Sequence, residues 1–239
     1  MTNKLNIKNS LFVSIKMIRY NLRIIFANKF IWFLMAAFAF FMFVSIITVY
    51  NGGNLSEGSI YYILFFPGIL LIFYPSVFGI QNDDDSRMLE ILFGIPNYRY
   101  KVWLIRLIMI YILVYVITLL FAVLASVLLS KINVFEMTYQ LMYPVIFLGS
   151  MAFMFSTIIK NGNGTAVAMI LIGVALLMLS DAVERTQWNI FLNPFDIPRN
   201  LNEVIWEGII FKNRIFLAIG MIVFVLYGLF NLQKREKFV

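Results

Sequence analysis

Polar residues do not alternate with apolar ones along this chain; they gather in short patches between long apolar runs. Runs of about 20 residues match a hydrocarbon core of ~30 Å at 1.5 Å rise per residue, whereas membrane β-strands alternate over ~10 residues. The pattern predicts an all-α integral membrane protein with six transmembrane helices, at about 30–50, 60–80, 102–129, 141–159, 165–181 and 214–232. The first run, FIWFLMAAFAFFMFVSIITVY, is too long for the core of a cleaved signal peptide and reads as a span.

The polar patches set the expected orientation. The segment before the first span carries Lys4, Lys8, Lys16, Arg19, Arg23 and Lys29 with no acid, and the tail after Gln233 is also basic. Lys and Arg collect on the cytoplasmic side, so both termini are expected there, which requires an even number of spans. The alternate connections agree: 51–59 has no base and 130–140 only Lys131, while 81–101 holds Arg87, Arg99 and Lys101. Residues 182–213, with bases and acids mixed and several Trp, Phe and Ile, are expected as an external loop with short helices of its own. Within 1–29, Lys16, Arg19 and Arg23 share one face at a helical period, and Leu11, Ile15, Ile18, Leu22 and Ile25 take the others. This predicts an amphipathic elbow helix in the interface; a plain basic anchor for the first span fits the same residues.

Inside the spans, Pro67, Gly68, Pro75 and Gly79 break the second run and predict a bent helix facing a partner or a pathway. Pro67, Tyr74, Pro75 and Ser76 are the pathway or kink candidates. Arg106, one turn into the third span, must snorkel or pair. The fifth span has small residues (Thr165, Ala166, Ala168, Gly173, Ala175) that permit close helix approach.

Composition narrows the function. Of 239 residues, 62% are hydrophobic and 25 are Phe, more than a soluble domain could cover. The absence of Cys and His removes thiolate and imidazole metal sites, Cys nucleophiles and His-based triads, so neither a metal nor a catalytic residue is expected. The net charge of +7 points to an anionic membrane face rather than to nucleic acid. No G-x-x-x-x-G-K-[ST] loop occurs, and NGNGT at 161–165 reads as a tight turn, so the chain has no ATPase site of its own.

One patch is crowded: NDDDSRMLEILFGIPNYRYK, from Asn82 to Lys101. Asp83, Asp84 and Asp85 suit the N-terminal turn of a short cytoplasmic helix, Met88, Leu89, Leu92 and Phe93 give it an apolar face, and Gly94 and Pro96 end it. The stretch resembles the segment between the second and third spans of ABC transporter permeases of the type 2 (ABC-2) class, which follows E-R-E-x-G-T-L-E-x-L-L-x-x-P-x-x-R. Leu89, Glu90, Leu92, Pro96 and Arg99 fall on that pattern, Asp83 and Asp85 stand for its first acids, and Arg87 and Met88 replace its Gly-Thr.

The resemblance implies a subunit of an ATP-driven exporter in the cell (inner or cytoplasmic) membrane. Two permeases, identical or paralogous, would form the pathway, and two separate ABC ATPase subunits holding ATP and Mg2+ would dock on it. Segment 82–96 would be the coupling helix, with Asp83, Asp84, Asp85, Arg87, Leu89, Glu90, Leu92, Pro96 and Arg99 as coupling residues and the elbow helix assisting. The family's substrates are drugs, peptides, lipids and polysaccharides. Two other classes stay open: a secondary carrier or channel, which would work without ATP, and a membrane enzyme or scaffold, which would move no substrate.

Overall fold

In the computed structural model, residues 29–50, 55–85, 99–198 and 201–232 are described. They are helical, with no strand among them, and carry six helices long and apolar enough to cross a membrane: the chain is a multi-pass membrane protein. The helices are α1 (Phe30–Tyr50), α2 (Glu57–Asp85), α3 (Ile105–Leu128), α4 (Val134–Ile159), α5 (Gly162–Ser180) and α6 (Glu203–Asn231). A π-helical segment, Arg99–Leu104, leads into α3.

Short polar punctuation decides where the helices start. Asn133 precedes α4, its side chain accepts from the Glu136 N–H, and Glu136 Oε2 accepts from Asn133 Nδ2, so α4 starts at Val134 rather than near 141. Asn161 caps α5 by accepting from Gly164 N–H, one residue after Lys160 turns the chain in the left-handed region at φ 61°. Asn202 caps α6 by accepting from Val204 N–H, and α6 therefore begins at Glu203, well before the expected 214. The long connection is correspondingly shorter, and among its described residues the only regular element is a single 3-10 turn at Asp181–Val183.

The second helix departs most from expectation. It runs unbroken through Pro67 and Pro75 to Asp85, the last described residue before 99, so Asp83–Asp85 continue a spanning helix instead of opening a separate one. Asp83 forms an ion pair with Arg106, described below. Nor does α2 lie at the edge of the bundle. It packs against α1, α3, α4 and α5, and α4 in turn packs against α3, α5 and α6. The core accordingly sits between α2 and α4, with Tyr61, Leu64, Leu71, Ile72, Leu141 and Val145 all buried. Helix association in lipid depends on close packing rather than on water exclusion, which makes small residues decisive at the crossings. A Cβ on Gly149 of α4 would stand 2.5 Å from Ile72 Cγ1 of α2, and one on Gly220 of α6 would overlap the Phe147 ring of α4. By contrast α5 and α6 present most of their apolar surface outward, and Gly173 of α5 has open space beside it.

The helices alternate in direction and give the bundle two distinct ends. At one, the start of α1, the ends of α2, α4 and α6 and the starts of α3 and α5 meet. Lys29 N–H donates to the Tyr74 hydroxyl, Gly162 N–H to Gln81 Oε1, and Asn231 Nδ2 to the Thr157 carbonyl. At the other, the 181–202 connection folds over the starts of α2 and α6. Asn193 Nδ2 donates to the Gly58 carbonyl, Trp206 Nε1 to that of Pro194, and Asn213 Nδ2 to those of Gln187 and Asn189.

Candidate functional site

Among the described residues two arginines, Arg106 and Arg214, are buried, and the two are treated differently. At the end where α2 meets α3, Arg106 Nη1 donates to Asp83 Oδ2 at 2.6 Å, with both side chains almost fully covered. Arg106 is held from its other face by Trp103, whose ring centre lies 4.8 Å from the guanidinium carbon; Trp103 packs on Phe153 of α4. The Arg106 Nε is buried without a hydrogen-bond partner among the described residues. Of the two options for this residue, pairing is the one realised.

This clamp joins α2 at Asp83 to the first turn of α3, which follows the π-helical segment Arg99–Leu104. Neighbouring residues reinforce it: Asn82 Nδ2 donates to Tyr74 and Gln81 accepts from α5. The final turn of α2 is thus tied to the starts of α3 and α5, and through Tyr74 to that of α1. In a low-dielectric setting such a pair contributes little net stability, but removing one partner strands the other and costs ~3–5 kcal/mol.

The remaining expected residues fall into three groups. Asp84 and Asp85 belong to the last turn of α2 and Arg99 to the π-helical segment. Arg87, Leu89, Glu90, Leu92 and Pro96, with Lys16, Arg19 and Arg23, lie outside the described residues. Pro67, Tyr74 and Ser76 are buried among the helices of this chain, with Pro75 half-buried beside them. Tyr74 accepts from Lys29 and Asn82 and stacks on Phe33 at 5.0 Å between ring centres. Ser76 Oγ has no hydrogen-bond partner among the described residues.

The opposite end holds a site that the apolar pattern did not expose. Arg214 lies eleven residues into α6, about 16 Å along its axis, and is only 6% exposed. Its Nε donates to Gln140 Oε1 and its Nη1 to Asn213 Oδ1, each at 2.8 Å, and its guanidinium lies 5.4 Å from the centre of the Tyr143 ring. Nη2 is buried, and the Tyr61 hydroxyl, also buried, lies close enough to Arg214 to interact with it. No carboxylate lies within 4 Å of Arg214 among the described residues. Arg214 is among the residues that line a cavity of about 490 Å³ between α4, α6 and the folded connection. The single available clue in the sequence was the pair Asn213–Arg214 at the edge of an apolar run. No family model matches the sequence, and neither a curated protein nor a solved structure matches it.

Proposed function

We propose that this chain is the membrane-spanning permease subunit of an ATP-driven transporter of the ABC-2 type, moving a hydrophobic or amphipathic compound outward across the cell membrane. The observation that supports the reading is the Asp83–Arg106 pair, which joins α2 to α3 on either side of the stretch in the sequence that carries the motif. Both anchors are needed for the mechanism. A partner that pushes on 86–98 displaces two separate helix ends if they are free, and one rigid unit if they are clamped. Because α2 packs against four other helices, its displacement repacks the bundle.

In this reading ATP and Mg2+ are bound by separate ATPase subunits, and Leu89, Glu90, Leu92 and Pro96 form the surface that enters them. The termini and the clamp lie on the ATPase side, and the 181–202 connection faces outside. Hydrolysis drives transport because the ATPase binds two arrangements of the bundle with different affinity. A second copy or a paralogue completes the pathway.

The test is purification of the tagged chain in mild detergent from its own host, with copurifying proteins identified and ATP hydrolysis measured. An ATPase that accompanies the wild-type chain and is lost with Glu90→Arg is the expected result. A wild-type chain that emerges alone, while moving substrate on an ion gradient without ATP, would replace this reading with a secondary carrier.

A further inference from the structure

We infer that the Arg214 cavity binds a zwitterionic amphiphile, with its acidic group on Arg214, its ammonium among the carboxylates at the mouth, and its acyl chain in the adjoining apolar groove. The inference does not depend on the permease reading, since such a lipid site would serve a carrier or a scaffold equally.

The deep part of the cavity is cationic. A charge inside a spanning helix is expensive unless neutralised, and Arg214 meets only neutral acceptors and the Tyr143 ring. Its forked donors suit a phosphate or carboxylate. The mouth has the opposite sign: Glu136, Glu203 and Glu207 line the same cavity and are exposed to the outside. A simple anion would have to pass three carboxylates to reach one guanidinium. A molecule that carries an ammonium beside its acidic group meets both signs in the right order.

The third component is apolar. A second groove of about 330 Å³ between α3 and α4 adjoins the cavity, the two sharing Tyr139 and Tyr143 in their walls. It is lined further on by Ile112, Met142, Ile146 and Met221. Met221 is seven residues beyond Arg214 on α6, about 10 Å deeper along the helix. The order from mouth to depth is therefore carboxylates, guanidinium, hydrocarbon. That is the order of ammonium, phosphate and acyl chain in an aminophospholipid whose head lies at a membrane surface. The Tyr139 and Tyr143 hydroxyls, hydrogen-bonded to each other, mark the boundary between the polar and apolar parts.

The experiment is equilibrium binding of radiolabelled lysophosphatidylethanolamine to the full purified chain in a non-ionic detergent. Two comparisons accompany it: lysophosphatidylglycerol, which keeps the phosphate and chain but lacks the amine, and glycerophosphoethanolamine, which lacks the chain. Saturable binding of the first, at least tenfold tighter than of either other, is expected. Arg214→Gln should weaken it tenfold or more, and Arg214→Lys less. The double variant Glu203→Gln, Glu207→Gln changes only exposed side chains and should abolish the preference for the amine-bearing lipid while binding persists. Unsaturable binding, equal binding by folded Arg214→Gln, or an unchanged headgroup preference in the double variant would overturn the inference. So would an Arg214→Gln chain that binds lipid normally but loses self-association, because the counter-charge would then come from a second copy.

Discussion

Arg106, in the first turn of α3, and Arg214, eleven residues into α6, are both buried in spanning helices, yet among the described residues only Arg106 has a counter-charge. Arg106 is neutralised by Asp83, and the pair fastens α2 to α3. Arg214 is hydrogen-bonded to Gln140 and Asn213 and remains a net cation beside a cavity. Burial of charge therefore has two different uses in the same bundle. A paired charge fixes the relative position of two helices. One left with neutral partners creates a demand for an anion from elsewhere.

The comparison makes opposite predictions for the same substitution at the two ends. Arg106→Met should have the largest effect, lowering stability by ~3–5 kcal/mol in detergent-mixed-micelle unfolding, because Asp83 is left buried without its cation. Adding Asp83→Leu should recover most of that loss. An intermediate effect is expected midway between the ends, where Gly149→Val forces a side chain against Ile72: overpacking of this kind costs ~1–3 kcal/mol. It should loosen the two ends alike, and unequal changes in hydrogen exchange at Asp83 and Arg214 would show that they are not braced by one core. The smallest effect belongs to Arg214→Met, within ~1 kcal/mol of wild type, since two neutral acceptors lose a donor while a desolvated charge is removed. A loss as large as that of Arg106→Met would mean that Arg214 is a structural charge and end the contrast.

How much of this was legible in the sequence follows from the range of the interactions. The spans were visible because each apolar run is local, but NGNGT at 161–165, expected as a tight turn, instead opens α5, with Asn161 as its cap. The early start of α6 was not visible. Glu203, Glu207, Lys212 and Arg214 make its first three turns look like a soluble loop. They are helical because Asn202 caps the helix and because Trp206 and Asn213 find backbone carbonyls in the folded connection, 12 to 26 residues away. The clamp was half legible. Arg106 visibly needed a partner, but Asp83, 23 residues earlier, belonged by local chemistry to the start of another helix. α2 instead continues through two prolines to Asp85, and neither the contacts of Gln81 with α5 nor those of Tyr74 with α1 can be read from spacing.

The central claim is that clamped helix ends deliver motion from an ATPase to the bundle, and ATP hydrolysis by the complex copurifying with the tagged chain tests it most directly. It should be compared among the wild type, Asp83→Arg, Arg106→Asp and the double exchange. Hydrolysis that accompanies the wild type, falls in each single variant and returns in the exchange is the predicted result. If the folded single variants hydrolyse ATP and transport as the wild type does, or if no hydrolysis accompanies the wild-type chain at all, the claim is contradicted.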